Sequence, residues 1–251
     1  MNLKQKIRNK QLTLGSWVTI PNQAVIEIMA TAGFDWLTID IEHSAVNIES
    51  VQNLIGFIQA KGIKAFVRVY GNDEVIIKRV LDAGADGIIV PMIKSKEEAQ
   101  QLVNHVYYPP LGKRGVGLSR AQDYGLGFDK YQNTLKNDIV VIAQIEHIDA
   151  INNLEEILSV EEIDSTLIGP YDLSASMNKP GQYDLPEVKE AIAKYDRICD
   201  SLGKPKGAHV IQSDYSFTQA KIDLGYTFLA FSLDFFFLGD KAREQMALLK
   251  K

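Results

Sequence analysis

Residues 64–92 read KAFVRVYGNDEVIIKRVLDAGADGIIVPM and contain a complete strand–helix–strand pattern. The short apolar runs at 64–69 and 87–92 are rich in branched residues, which is typical of strands buried on both faces. Between them, apolar residues recur at helical spacing in DEVIIKRVLDAG, and a glycine ends this segment, as it ends many helices. The stretch therefore predicts two parallel strands joined by a helix.

The same alternation continues in both directions and gives eight predicted strands. They span 12–20, 36–41, 64–69, 87–92, 140–145, 166–170, 205–211 and 228–234. Helical patterns such as NIESVQNLIGFIQAKG and SKEEAQQLVNHV lie between them. Eight such units without a break in composition predict an α/β protein whose residues 1–251 form a single (β/α)8 barrel. An open doubly wound sheet is disfavoured because the first strand leads into PNQAVIE, which lacks a glycine-rich dinucleotide-binding turn.

Composition narrows the class of protein. The chain has 251 residues, 46% of them hydrophobic, and 27 Lys and Arg against 32 Asp and Glu, a net charge of −5. The sequence has no cluster of basic residues, so a nucleic-acid partner is not predicted. Cys199 is the single cysteine, and the N-terminus lacks the apolar core of a secretory signal. The most apolar stretch, 228–239, is shorter than the roughly 20 residues of a membrane span. We expect a cytoplasmic protein without a membrane partner.

Two segments interrupt the regular alternation. Residues 107–137 are rich in Gly, Pro, Tyr and Arg, and a segment of this length predicts a lid or a binding loop. Within it, the polar stretch 118–131, with Arg120 and Tyr124, favours a hydroxylated or acidic substrate. Residues 174–187 follow the sixth strand, so they are predicted at the C-terminal face of the barrel, where barrel enzymes build their active sites.

Polar residues at the C-terminal ends of strands are the first candidates for function. They are Asp40, Glu42, His43, Arg68, Gln144, Glu146, Asp172 and His209. Glu146 and Asp172 supply oxygen ligands that suit a divalent cation such as Mg²⁺ or Mn²⁺. The alternative is that Asp172 caps the following helix while Glu146 pairs with a nearby base.

The other candidates also allow two interpretations. Arg68 is either a donor to a substrate carboxylate or a structural ion-pair partner. His43 has acidic neighbours and suits proton transfer. His147 either reaches the site or begins a helix, and His209 is either a core residue or a residue of the barrel mouth. No lysine is placed for a Schiff base, and no glycine loop is placed for a phosphate.

These residues lie in motifs that resemble the HpcH/HpaI family of class II, metal-dependent pyruvate aldolases. The motifs are GSWVTIP, AGFDWLTIDIEH, VLDAGADGIIVPM, EEAQQLV, YYPPLGKRGVG, AQIE and IGPYDLSASM, in the family's order over almost the whole chain. The resemblance implies a (β/α)8 barrel in a homo-oligomer, a hexamer built as a trimer of dimers that exchange their last helix. From the residues alone, Phe235–Phe237 serve equally well in such an interface or in a helix that covers its own barrel.

The resemblance also implies individual roles. A divalent cation (Mg²⁺, Mn²⁺ or Co²⁺), with no nucleotide and no Schiff-base lysine, is expected on Glu146 and Asp172. Arg68 and Gln144 are expected to hold pyruvate, His43 to act as the acid and base, Asp82 to support His43, and Asp40 to contact water on the cation. The amides around Gly169 and Tyr171 are expected to bind the pyruvate carboxylate, and Trp17 to lie near the substrate.

The implied reaction is reversible aldol cleavage of a 4-hydroxy-2-oxo acid to pyruvate and an aldehyde, so the partners are small molecules. Alternatives are oxaloacetate decarboxylation or acyl-thioester condensation at the same site, and a non-catalytic metabolite-binding protein on this scaffold. The sequence departs from the family pattern in SAV after IDIEH, at His147 and at Tyr171. These positions flank the site and leave the aldehyde less defined than pyruvate.

Overall fold

The computed structural model describes residues 1–250, which form a closed barrel of eight parallel strands in chain order. The strands are β1 (Thr13–Val18), β2 (Trp36–Asp40), β3 (Lys64–Arg68), β4 (Gly87–Val90), β5 (Val140–Ile145), β6 (Ser165–Ile168), β7 (Lys206–Val210) and β8 (Phe228–Leu233). Each overlaps a predicted strand. The prediction of a (β/α)8 barrel is confirmed.

Helices surround the barrel. They are α1 (Leu3–Arg8), α2 (Gln23–Ala30), α3 (Ile48–Ala60), α4 (Glu74–Asp82), α5 (Lys96–Val106), α6 (Phe128–Asp138), α7 (Ile148–Asn152), α8 (Leu154–Leu158), α9 (Pro170–Ser176), α10 (Pro186–Ser201), α11 (Tyr215–Asp223) and α12 (Asp234–Leu249). Glycines follow α2 and α3 as predicted, and Gly33 and Gly62 adopt positive φ angles of 84° and 76°. None of the helices within residues 1–250 is long and apolar enough to cross a membrane.

Aromatic rings fill the interior of the barrel near the N-terminal ends of the strands. Trp36 stacks between Phe228 and Phe66 at ring-centre distances of 4.6 and 5.4 Å. Gly15 leaves room for this stack, because a Cβ there would lie 2.1 Å from the Trp36 ring. Leu3 and Ile7 of α1 belong to the same buried cluster, so the N-terminal helix closes this end of the barrel. The sequence analysis did not predict α1.

A buried ion-pair network fastens α1 to the barrel. The Lys4 Nζ lies 2.9 Å from the Asp164 carboxylate and donates to the Ile139 carbonyl at 2.6 Å and the Tyr107 hydroxyl at 3.1 Å. Asp164 also pairs with Arg8 and accepts the Val141 amide at 2.8 Å. Burial lowers the pKa of Lys4 below its ordinary value, opposed by the attraction of Asp164.

Residues 107–137 do not lie over this chain's own strand C-termini. The segment connects α5 to β5, so it leads to the N-terminal ends of the strands, and it contains a 3₁₀ helix (Arg120–Gly125) and most of α6. The Arg120 guanidinium donates to the Gln59 side chain at 2.8 Å and to the Ala83 carbonyl at 3.1 Å, next to the ends of α3 and α4. Within one chain, therefore, the segment does not form the predicted lid or binding loop over the site. The segment 174–187 does follow the C-terminal end of β6, as predicted.

The last helix touches its own barrel only at its beginning. Phe237 packs against Phe231 and Phe34, with ring centres 5.1 and 6.4 Å away. From 241 to 250 every residue is exposed, including the apolar side chains of Leu248 and Leu249. The second half of α12 therefore does not cover the barrel of its own chain.

Candidate active site

Inward-facing residues from β1, β2 and β3 build one side of the site. Asp40 ends β2 and is buried, and its carboxylate accepts two hydrogen bonds from Arg68, from Nη2 at 2.6 Å and from Nε at 3.0 Å. This bidentate geometry fixes the plane of the guanidinium. The ring of Trp17 lies 4.2 Å from the guanidinium carbon, a cation–π distance. The Arg68 side chain is thus held on two sides at the mouth of the barrel.

The turn after β2 sets the position of His43. The Oδ1 atom of Asp40 accepts the backbone amides of Glu42 at 3.0 Å and His43 at 3.3 Å. The His43 side chain is 68% exposed, and its Nε2 lies 3.8 Å from Oε2 of Glu42. One carboxylate therefore orders both Arg68 and the turn that carries the predicted acid and base.

Glu42 joins the site although the sequence analysis gave it no role. Its Oε2 lies 3.3 Å from Nε of Arg68, and its side chain is only 17% exposed. Burial raises the pKa of the Glu42 carboxyl, against the attraction of Arg68 and His43. Its place in the turn between Asp40 and His43 was the signal that could have identified it.

Gln144 and Glu146 build the opposite side. The Gln144 Nε2 donates to Oε2 of Glu146 at 2.5 Å, and the Met92 amide donates to Oε1 at 2.9 Å. Met92, whose amide makes this bond, adopts a left-handed φ of 57°. Burial raises the pKa of Glu146, and the nearby charge of Asp172 raises it further. The Oε1 atom of Gln144 is buried without a hydrogen-bond partner among residues 1–250.

Two carboxylates fit a divalent cation here. Glu146 is buried and Asp172 is exposed in the first turn of α9, and the two charges repel each other. A cation between them relieves that repulsion, and oxygen donors of this kind suit Mg²⁺ or Mn²⁺. Within residues 1–250 no group of three His, Cys, Asp or Glu side chains could hold a metal. The other ligands of a cation would therefore come from substrate and water.

Backbone donors follow β6. The Gly169 amide donates to the Ile145 carbonyl at 3.0 Å, so it is used inside the sheet and is not free for a carboxylate. Gly169 serves the site by its missing side chain, because a Cβ there would lie 2.9 Å from Cβ of Glu146. The amides of Tyr171 and Asp172, in the first turn of α9, have no intrahelical acceptor. These two amides are therefore without a helical partner at the end of α9 that follows β6.

Several of these residues border one cavity of about 420 Å³. Its wall includes Trp17, Arg68, Gln144, Gly169, Tyr171, Asp172, Tyr183, Ile192, His209, Ile211, Gln212 and Lys221. The Nζ of Lys221 lies over the ring of Tyr226, 4.8 Å from its centre, near the N-terminal end of β8. The ammonium group is thus directed away from the strand C-termini, and burial lowers its pKa.

Asp82 and His147 lie away from the roles in the site that were considered for them. Asp82, in the last turn of α4, pairs with the buried Arg114 guanidinium at 2.5 Å, at the helix end that leads into the N-terminal end of β4. The structure therefore does not bring Asp82 to His43. His147 begins α7, where its Nδ1 accepts the Asp149 amide at 3.1 Å, so the helix-entry interpretation is the one observed.

Comparison with known proteins identifies the family. The family described as HpcH/HpaI aldolase/citrate lyase matches residues 13–234. The chain belongs to this family. It is 36% identical over 233 residues to a hydroxypyruvate/pyruvate aldolase of Roseobacter denitrificans, covering 92% of this chain and 90% of that protein. It is 33% identical over 248 residues to the 2-keto-3-deoxy-L-rhamnonate aldolase of Escherichia coli K12, covering 98% and 92%.

A solved structure agrees with this assignment. The HpcH/HpaI aldolase from Desulfitobacterium hafniense superposes with a TM-score of 0.90 at 30% identity, covering 100% of this chain and 97% of that one. The predicted family and the predicted enzyme class, an aldolase, are confirmed.

Proposed function

We propose that this aldolase cleaves a 4-hydroxy-2-oxo acid reversibly to pyruvate and an aldehyde, with a divalent cation on Glu146 and Asp172. The observation that carries the proposal is the buried Glu146 carboxylate, which Gln144 holds beside the cavity that Arg68 and Asp172 border. The relatives named as pyruvate aldolases support the same donor half.

The cation, Mg²⁺, Mn²⁺ or Co²⁺, would act as a Lewis acid that favours enolate formation. The amides of Tyr171 and Asp172 bind the carboxylate of the 2-oxo acid. Arg68 uses two of its N–H groups on Asp40 and presents the others to the oxygen on which negative charge develops. Because Asp40 and Trp17 fix the guanidinium beforehand, little reorganisation accompanies the reaction.

Proton transfer is assigned to His43. Its exposed side chain reaches into solvent at the barrel mouth, and its Nε2 faces Glu42. In cleavage, His43 takes the proton of the 4-hydroxyl group, and in condensation it returns the proton. Glu42 lies between His43 and Arg68 and orients the imidazole ring.

We also propose that Asp82 acts across a subunit boundary in a homo-oligomer, a hexamer of paired subunits. Within one chain Asp82 lies at the far end of α4, and the residues in the second half of α12 are exposed. A second copy would therefore supply Asp82 to His43. Mixing His43→Ala with Asp82→Asn subunits tests this, because mixed oligomers contain sites with both native residues. Recovered activity is expected, and a mixture as inactive as its components contradicts the proposal.

The reaction itself is tested by pyruvate release from 4-hydroxy-2-oxo acids, coupled to lactate dehydrogenase, after chelation and return of Mg²⁺, Mn²⁺ or Co²⁺. The native enzyme should regain activity with a cation, and Glu146→Gln should lose both activity and calorimetric binding of the cation. Release that survives chelation, or that Glu146→Gln retains, would refute the cation-dependent reaction. Glu156→Gln, an exposed acid in α8, is the matched control.

A further inference from the structure

His209 borders the cavity of the site, but the proposed binding of pyruvate does not involve it. It lies on β7 opposite Ala230 of β8, and alternation along β7 directs it inward. Its ring borders the cavity and packs against Trp17 with ring centres 5.1 Å apart. The histidine is therefore a residue of the barrel mouth and not of the closed core.

The surroundings fix the tautomer of His209. Its Nε2 lies 3.3 Å from the backbone carbonyl oxygen of Ser232, which can only accept a hydrogen bond, so Nε2 carries the hydrogen. Ser232 adopts a left-handed φ of 54°, which turns this carbonyl toward the ring. Burial and the charge of Arg68 lower the pKa of His209 to about 3, so the ring is neutral at physiological pH. Nδ1 is then an acceptor.

This acceptor is open to the cavity. Within residues 1–250 Nδ1 of His209 has no hydrogen-bond partner, and it is not among the buried polar atoms that lack one. Solvent in the cavity therefore reaches it. The groups assigned to pyruvate, Arg68 and the first amides of α9, are donors, which match a carboxylate and a keto oxygen. Pyruvate has no hydroxyl group, so it offers nothing to Nδ1.

We propose that His209 is a specificity-determining residue that accepts a hydrogen bond from a hydroxyl group on the substrate's carbon chain, close to the carbon–carbon bond that breaks. The inference rests on the proposed aldol reaction and names the chemistry of its substrate. Two sources supply such a hydroxyl group: C3 of a 3-hydroxy-2-oxo acid that replaces pyruvate, or C2 of a 2-hydroxyaldehyde. Beyond His209 the wall is formed by Ile211, Ile192 and Tyr183, so the chain past the hydroxyl group meets mainly carbon.

The test compares four condensations in the native enzyme, His209→Leu and His209→Asn. Pyruvate or hydroxypyruvate is combined with propanal or glycolaldehyde, and kcat/KM is measured for each pair. Leu has a similar volume without an acceptor, whereas Asn carries an oxygen near the position of Nδ1. His209→Leu should lose about ten- to thirtyfold with the hydroxylated partner that His209 reads, and change less than about twofold with pyruvate and propanal. His209→Asn should retain most of the preference.

Each result has one meaning. A loss confined to hydroxypyruvate pairs places the hydroxyl group on the donor, and a loss confined to glycolaldehyde pairs places it on the aldehyde. Equal losses in all four pairs, or none, would overturn the proposal, because His209 would then only pack against Trp17. No condensation by the native enzyme in any pair would instead refute the aldol reaction. If circular dichroism shows His209→Leu to be unfolded, His209→Met supplies the same comparison.

Discussion

The two hydrogen bonds between Asp40 and Arg68, here called the Asp40–Arg68 clamp, lead to a prediction for Asp40→Asn. This substitution replaces one carboxylate oxygen with an NH2 group. The asparagine keeps the Oδ1 contacts to the Arg68 Nε at 3.0 Å and to the amides of the turn at 3.0 and 3.3 Å. It places an N–H group opposite Nη2, where the carboxylate now accepts at 2.6 Å. One charge-assisted hydrogen bond, worth about 1.5–3 kcal/mol, is lost, and two donors face each other. The guanidinium is no longer fixed against the developing oxyanion.

A loss of about 2–3 kcal/mol corresponds to a decrease of about 30- to 150-fold in kcat/KM. Pyruvate release coupled to lactate dehydrogenase gives this value, and exchange of the pyruvate methyl protons with deuterium, followed by NMR, reports enolate formation alone. Both rates should fall together, because Arg68 stabilises the same enolate oxygen when the methyl group loses a proton and when the carbon–carbon bond breaks. The circular dichroism spectrum should not change.

Asp73→Asn is the matched control. Asp73 is the N-cap of α4, where its Oδ1 accepts the Ile76 amide at 2.9 Å, and asparagine caps helices about as well as aspartate. The control should keep native activity. A folded Asp40→Asn enzyme with native kcat/KM and native proton exchange would refute the assignment of Arg68 to the enolate oxygen.

Three further predictions concern stability and assembly. Lys4→Met leaves Asp164 buried with only Arg8 as its cation, so it should lower the free energy of unfolding by about 2–4 kcal/mol in urea titrations. The control Lys130→Met, at an exposed lysine of α6, should change it by less than about 0.5 kcal/mol. The pKa of Glu42 is higher in the folded than in the unfolded state, so its charged form opposes folding at pH values above the unfolded pKa of about 4.3. Glu42→Gln should therefore raise the melting temperature at pH 8, and this gain should disappear below about pH 4. The same substitution should lower activity. Deletion from Lys241 onward should leave the barrel folded and reduce the mass measured by light scattering; an unchanged mass would contradict exchange of α12.

The strands were predictable because each is buried on both faces and is written almost wholly in apolar residues. The site residues were predictable for a related reason. Charged side chains such as Arg68 and Glu146 stand at or just after the C-terminal ends of strands, and parallel strands bring these ends together. The helix α1 was missed because only Leu3, Ile7 and the stem of Lys4 are buried, which gives little periodic signal over six residues.

The role predicted for the segment 107–137 is not observed within one chain, for a reason that its composition does not show. Its length predicted a functional loop, but its place after α5 directs it to the N-terminal end of β5. The role expected for Asp82 fails within one chain for the same reason, since α4 ends on that side of the barrel. A single sequence describes one chain, whereas contacts between copies require the surfaces of two.

The site has two parts: one is fixed by the sheet, and the other can change to accept a different substrate. Short hydrogen bonds at the strand ends join Arg68 to Asp40 and Gln144 to Glu146. A change at any of these residues therefore disturbs the part of the site proposed to bind pyruvate. His209 is held only through the Ser232 carbonyl and the ring of Trp17. Trp17 contacts both Arg68 and His209, so it lies between the two parts. A change at His209 can therefore alter which substrate is accepted without loosening the Asp40–Arg68 clamp, provided that its volume still supports Trp17.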